Sequence, residues 1–234
     1  MARKARFGQP GIPVLLHQGT SPDIRVFHSQ SDLDTIQRFI AEALKRRGCE
    51  IHAYGFLDNQ LWLVLTPVKP DAVQKLMQSV SRRYAAYFLN RYAAVYPQRK
   101  VLWGRRYRCV PLEAERYLIK AMCYVENRIE RRVIKEADQG IVAHSSFHQH
   151  GNPNGILLVQ PHLQYKYLAE TPPQRFNKYR AICEQWNQRK FESRMTTAIE
   201  KQLALGSAGF IHALEVVSGI RLSVGKPGRP KKLI

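Results

Sequence analysis

Gly48-Cys-Glu-Ile-His-Ala-Tyr-Gly-Phe-Leu-Asp-Asn-Gln-Leu-Trp-Leu-Val-Leu-Thr-Pro67 reads as two strands joined by a tight turn. Ile51, Ala53 and Gly55 alternate with His52, Tyr54 and Phe56, and Asp58-Asn59 supplies the turn chemistry. Leu61, Leu63 and Leu65 then alternate with Gln60, Trp62 and Val64. Successive strand residues point to opposite faces, so Gln60, Trp62 and Val64 share one face. Two side chains spaced i, i+2 on a rigid strand can be aimed at one point, a geometry that suits a pair of metal ligands.

Working outward, Ile12 to Gln18 reads as a strand, with Pro13 at its start or edge. His17 and His28 lie near it and are read as structural, since an isolated histidine is seldom a ligand. Ser31 and Asp34 give a capping signal, Leu33, Ile36, Phe39, Ile40, Ala43 and Leu44 follow at helical spacing, and Gly48 closes that helix. On the other side of the hairpin, Pro67 to Pro70 breaks the chain and a helix from about Asp71 to Tyr92 follows. Its apolar stripe is Val73, Leu76, Met77, Val80, Tyr84, Tyr87 and Phe88; its basic face includes Arg82 and Arg83. Val101 to Val110 reads as a strand carrying Arg105, Arg106 and Arg108, and Glu113 to about Ile134 as a third long helix.

These elements resemble the single-tyrosine HUH transposases, most closely their REP-associated tyrosine transposase branch. There the turn's Asn is followed by His, an apolar residue and His, and the two histidines bind a divalent metal that polarises the scissile phosphate. Here Asn59 is followed by Gln60, Leu61 and Trp62. The run Leu76-Met-Gln-Ser-Val-Ser-Arg-Arg-Tyr84, the element Trp103-Gly-Arg-Arg-Tyr107 and the turn Ser145-Ser-Phe147 are similar to family elements as well. Tyr124-Val-Glu-Asn127 matches the family's tyrosine helix and puts Tyr124 at the nucleophile's position, where a phenolate would attack the phosphodiester. Four residues on, the family's polar ligand is replaced by Arg128.

The resemblance therefore implies the family's fold and departs from its chemistry. Gln60 is a poor ligand, Trp62 has no lone pair to give, and a guanidinium at Arg128 repels a cation. An active family member would be expected to use Mg²⁺ or Mn²⁺; for this chain the expectation is no cofactor and no resident metal. A phenol has a pKa near ~10, so without a metal Tyr124 is a weak nucleophile at neutral pH. His148 and His150 have ligand-like i, i+2 spacing but no nearby acid or thiol in sequence.

Composition agrees with a polyanion partner. Thirty-seven Lys and Arg face 18 Asp and Glu, for a formal net charge of +19. Such a field attracts nucleic acid first. No apolar run approaches the ~20 residues needed to span a bilayer, and no membrane role is expected. No apolar signal core follows the basic N-terminus, so a cytoplasmic, nucleoid-associated location is expected. Cys49, Cys109, Cys123 and Cys183 show no paired spacing and read as buried, reduced thiols. Phosphate contacts are expected from Arg3, Lys4 and Arg6 in the basic arm, from Arg82 and Arg83, from Arg105, Arg106 and Arg108, and from the tail. In the tail, Gly225-Lys-Pro-Gly-Arg-Pro-Lys-Lys232 holds an AT-hook-like core; Arg229 could enter an A·T minor groove, with Lys226, Lys231 and Lys232 on the flanking phosphates.

The expected fold is α+β: a ferredoxin-like antiparallel sheet with helices on one face, plus a helical C-terminal extension. The expected division is a transposase-like domain over 1–139, a linker over 140–159, a helical region over 160–224 and a basic tail over 225–234. The expected function is binding of hairpin or single-stranded DNA without metal-dependent cleavage, with a homodimer possible by analogy. Two alternatives stay open: an active transposase or nickase with a site rebuilt from Tyr124, Arg128 and His52, and an RNA-binding or scaffold protein on the same fold.

Overall fold

The computed structural model describes residues 7–21, 23–135, 142–151, 158–185 and 188–225. The cationic arm with Arg3, Lys4 and Arg6, and the tail with Lys226, Arg229, Lys231 and Lys232, lie outside the described residues.

The quoted hairpin forms as read. β1 is Val14–Gly19, α1 Gln30–Arg47, β2 Cys49–Leu57, β3 Gln60–Pro67, α2 Ala72–Arg91 and β4 Arg108–Pro111. A π-helical turn, Ala114–Leu118, leads into α3, Ile119–Lys135, and β5 is Ala143–Ser145. Then come a short 3₁₀ turn, Phe147–His150, and α4 Leu163–Lys166, α5 Pro172–Gln185, α6 Gln188–Lys201 and α7 Ala208–Ser218. The sheet order is β4-β1-β3-β2-β5, with antiparallel neighbours throughout. The first four strands have the ferredoxin-like order, and β3 is central.

Alternation along β3 assigns the two faces. Leu61, Leu63 and Leu65 enter one core with α1 and α2, including Ile36, Ile40, Leu76, Val80, Tyr84 and Phe88. Trp62 and Val64 enter a second core with α3, α5 and α6, including Met122, Val125, Tyr179 and Met195. The expected layer of helices on one face is thus present, joined there by Leu214 of α7, and α3 with α5 and α6 covers the opposite face as well. The physical reason is visible in β3 itself, since both of its faces are apolar and each must be buried.

The register of β2 departs from simple alternation. It shifts between Ile51 and Ala53, so His52 sits in a bulge. Ile51 therefore shares the first core with Tyr54 and Phe56, while Ala53 faces the second. At Gly55 α3 passes close over β2: a Cβ there would lie 2.7 Å from Cγ1 of Ile129.

Three other differences matter. Strand β4 begins only at Arg108, so Arg105 and Arg106 stand in an exposed loop rather than on a strand. That loop is pinned by the Trp103 indole, which donates to the Ser81 carbonyl at 3.0 Å. The helix α1 cap is Ser29 with Asp32, two residues earlier than read, because Asp32 Oδ2 accepts from the Ser29 backbone at 2.9 Å. The polar stretch after residue 140, read as irregular, supplies β5.

Candidate functional site

β3 and α3 bring the sequence-predicted residues together on the second face. The Trp62 ring meets the Tyr124 ring edge-on at 5.8 Å, and the Arg128 guanidinium lies 5.7 Å from the Trp62 ring centroid. Gln60 belongs to the same group: its Oε1 accepts from the Trp62 indole N–H at 3.1 Å. On the neighbouring strand His17 pairs in register with Trp62 and stacks on it, with ring centroids 4.0 Å apart.

This arrangement does not fit a divalent cation. Of the three positions at which the resemblance implies metal ligands, Trp62 offers only a donor, Arg128 carries a positive charge, and Gln60 offers a neutral amide oxygen that already accepts from the indole. Among the described residues no group of three His, Cys, Asp or Glu is placed to hold a metal ion.

Tyr124 is only 8% exposed. Its phenol is held above the ordinary value, chiefly by burial, with the Glu192 carboxylate adding to the rise. Arg128 and a hydrogen bond with Thr196 pull the other way without cancelling it. Both Glu192 and Thr196 come from α6, and Phe191 of that helix meets the Tyr124 ring at 6.3 Å. The environment therefore disfavours the phenolate a nucleophile requires.

His17 is pushed down to about 4, first by burial and then by Arg108 and Arg128. It is neutral at physiological pH, and its Nε2 is buried without a hydrogen-bond partner among the described residues. His52 is also held at about 4, mainly by burial. It is locked in place, with Nδ1 2.8 Å from the Gln160 carbonyl and Nε2 2.8 Å from Thr66 Oγ1. That clasp across the β2 bulge accounts for both ring nitrogens of His52.

The expected phosphate-binding cations separate into groups. Arg82, Arg105 and Arg106 are exposed and line a cleft of about 800 Å³ between α2 and the 100–107 loop, with Lys100, Gln74 and Gln78. Arg105 and Arg106 also border a second cavity of about 480 Å³, with His17, Thr20, Ser21 and Arg108. Arg83 is turned elsewhere: its Nη2 bonds Glu42 at 2.6 Å and its guanidinium covers the Phe39 ring at 4.1 Å, tying α1 to α2. Arg108 donates to the carbonyls of Glu200 (2.6 Å) and Ile199 (3.3 Å), capping the C-terminal end of α6 where a cation is favoured.

Sequence reasoning missed the other side of α3. Glu126 is fully buried two residues after Tyr124 and accepts from Ser146 Oγ, from Tyr179 OH at 2.5 Å and from His150 Nε2 at 2.9 Å. One turn on, Glu130 accepts from Ser145 Oγ at 2.5 Å. The Ser145-Ser146 pair thus grips two carboxylates spaced i, i+4 on one helix face, and that spacing was the signal available in sequence. His148 and His150 do not converge: His150 is engaged by Glu126, and His148 lies 3.6 Å from Glu130. Asn127 Nδ2 donates to the Cys183 carbonyl at 2.9 Å, and Cys123 is joined to Cys183 by a disulfide. The expectation of four reduced thiols is corrected accordingly. A separation of 60 residues carries no sequence signal, and only the packing of α5 on α3 brings the two sulfurs together; Cys49 and Cys109 are free and buried.

A ferredoxin-like sheet with a tyrosine-bearing helix packed on β2 and β3 is the arrangement that comparison with solved structures also finds in a transposase. Residues 23–128, the segment that holds Gln60, Trp62, Tyr124 and Arg128, match the family described as "Transposase IS200 like". In fold it is similar to a solved REP-associated tyrosine transposase bound to a REP hairpin, with a TM-score of 0.51 and 13% identity over 67% of this chain and 88% of that one. No curated protein matches the chain. Among the described residues no helix is long and apolar enough to cross a membrane.

Proposed function

We propose that the protein binds a DNA hairpin or single-stranded DNA and does not cleave it by the metal-dependent route of the family it resembles. The observation that supports this best is the group formed by Gln60, Trp62, Tyr124 and Arg128, in which the tyrosine keeps its place while every metal position holds a residue unable to serve as a ligand or already bonded. The raised Tyr124 phenol argues in the same direction. The net charge of +19 and the exposed Arg82, Arg105 and Arg106 supply the attraction for phosphate. The fold neighbour, a transposase bound to a REP hairpin, makes a hairpin the natural first ligand to try. A homodimer and a nucleoid location belong to the same proposal.

The test is incubation of the protein with a labelled DNA hairpin carrying single-stranded flanks, in Mg²⁺ or Mn²⁺, followed by denaturing electrophoresis. The expected result is tight, salt-sensitive binding with no covalent protein–DNA adduct. An adduct that disappears in Tyr124→Phe would instead establish cleavage by a rebuilt site. Stronger competition by an RNA hairpin than by its DNA counterpart would move the ligand to RNA.

A further inference from the structure

The cavity beside His17 has no role in the site as described so far. Its wall is cationic, with Arg105, Arg106 and Arg108 around it and Gly19, Thr20, Ser21 and Gly104 completing the lining; no carboxylate lines it. His17 is the one imidazole in that lining, and the buried Nε2 of its ring has no hydrogen-bond partner among the described residues. A Cβ placed on Gly19 would lie 3.6 Å from that nitrogen. Behind the imidazole, the Trp62 indole stacks at 4.0 Å, and beyond the indole stands the exposed Arg128. His17, which lines the cavity, thus leads through Trp62 to Arg128 and the Tyr124 ring.

Each feature favours an anion over a cation. Guanidiniums offer fixed forks that match phosphate oxygens. A neutral imidazole can donate one N–H to such an oxygen, which an unpartnered buried nitrogen would otherwise forgo at a cost. The loop holding Arg105 and Arg106 is anchored through Trp103 to α2, so the two cations stand on a fixed support. The same loop borders the larger cleft along α2, which connects the cavity to a longer basic track.

We propose that this cavity binds a phosphate of single-stranded DNA directly, through Arg105, Arg106 and His17, without a metal ion. The family's metal centre is thereby replaced, a strand's width away from its old position, by a guanidinium–imidazole anion site. The proposal rests on the reading that nucleic acid is the partner, and it adds which chemical group is held and where.

The experiment measures binding of a short fluorescent single-stranded oligodeoxynucleotide by anisotropy, in EDTA and in Mg²⁺, with the full-length chain. A flush-ended hairpin without single-stranded extension is measured in parallel. Wild type should bind the oligonucleotide equally in EDTA and in Mg²⁺. Arg105→Ala combined with Arg106→Ala should weaken it by about 10-fold or more, and flatten the slope of log K against log salt by about 1.4, the value for two phosphates on a single strand. His17→Phe keeps a ring against Trp62 and removes the donor; it should weaken the oligonucleotide several-fold with an unchanged melting temperature. Binding that needs Mg²⁺, or that is unchanged in all these variants, overturns the proposal. Loss of hairpin binding by wild type, with oligonucleotide binding intact and sensitive to these variants, would count against the proposed hairpin function and leave the anion site standing.

Discussion

Two buried carboxylates, one on each side of the sheet, are built alike and serve different ends. Asp32, on α1, is fully buried and accepts from the His28 and Ser29 backbone at 2.8 and 2.9 Å and from Tyr87 and Tyr92 hydroxyls at 2.8 and 2.6 Å. Glu126, on α3, is equally buried and accepts from Ser146, Tyr179 and His150. Asp32 draws its donors from its own helix start and from α2, within the first four strands. Glu126 draws all three from beyond residue 140, so its network fastens the C-terminal region to the tyrosine helix. The first carboxylate closes a unit, and the second joins a later segment to it. The second also fixes the back of α3 while Trp62 meets its front, which sets where Tyr124 stands.

The comparison predicts that Glu126→Gln is the most damaging single change. A glutamine keeps one acceptor and presents an amide N–H₂ to the buried donors, leaving at least one of them unpaired. Hydrogen bonds to a charged acceptor are worth about 1.5–3 kcal/mol each and a buried donor left unpaired costs about 1–3 kcal/mol, so the change costs about 3–5 kcal/mol. Urea unfolding should show the loss, and limited proteolysis should show earlier cutting beyond residue 140 than within α1 or α2. A loss under about 1 kcal/mol, at the level of an ordinary hydrogen bond, would mean that Glu126 does not join the two segments.

Asp32→Asn should cost less, about 2–3 kcal/mol, because a hydrogen bond to a charged acceptor is worth about 1.5–3 kcal/mol and the local cap persists in part. Its signature is pH dependence. Burial alone would raise the Asp32 carboxyl, yet the hydrogen bonds from Tyr92, Tyr87, His28 and Ser29 hold it below the ordinary value. A depressed folded-state value means the stabilisation is complete above the ordinary carboxylate range and is lost as pH falls through the lowered value. His52 adds an earlier loss: held at about 4 when folded, it resists a proton the unfolded chain accepts near 6.5, so stability declines as pH drops from 6.5 towards 4. Melting curves between pH 7 and 3 should therefore fall in two stages for wild type, the upper one shared by His17 and His52 and the lower one reduced in Asp32→Asn.

What could be read in sequence, and what could not, follows the range of the interactions. The hairpin, α1 with its Gly48 stop and the α2 stripe were legible because period and turn chemistry are local. The nearness of Tyr124 to Gln60 and Trp62 was implied by the family resemblance that Tyr124-Val-Glu-Asn127 and the Asn59 turn carry. The His52 bulge was hidden, because one extra residue leaves composition unchanged and moves only the partner. Arg108 looked like its neighbours Arg105 and Arg106, and only the arrival of α6, nearly 100 residues later, makes it a helix cap. The burial of Tyr124 under Phe191 and Thr196 likewise depends on where α6 lands.

The smallest effect sharpens the comparison most, because it counts donors rather than removing the acceptor. Among the described residues Tyr179 is the one donor to Glu126 Oε2, whereas Tyr92 shares Asp32 Oδ2 with the His28 and Ser29 backbone and the Ser29 hydroxyl. Removing the Tyr179 hydroxyl leaves a buried carboxylate oxygen without its partner; removing that of Tyr92 leaves three donors in place. Tyr179→Phe should therefore cost about 2 kcal/mol and Tyr92→Phe about 0.5–1 kcal/mol. Measured by urea unfolding on the two variants side by side, the ordering is the result that matters. Equal losses would show that the two carboxylates are satisfied to the same degree, and the distinction between a self-contained cap and an inter-segment clamp would fail.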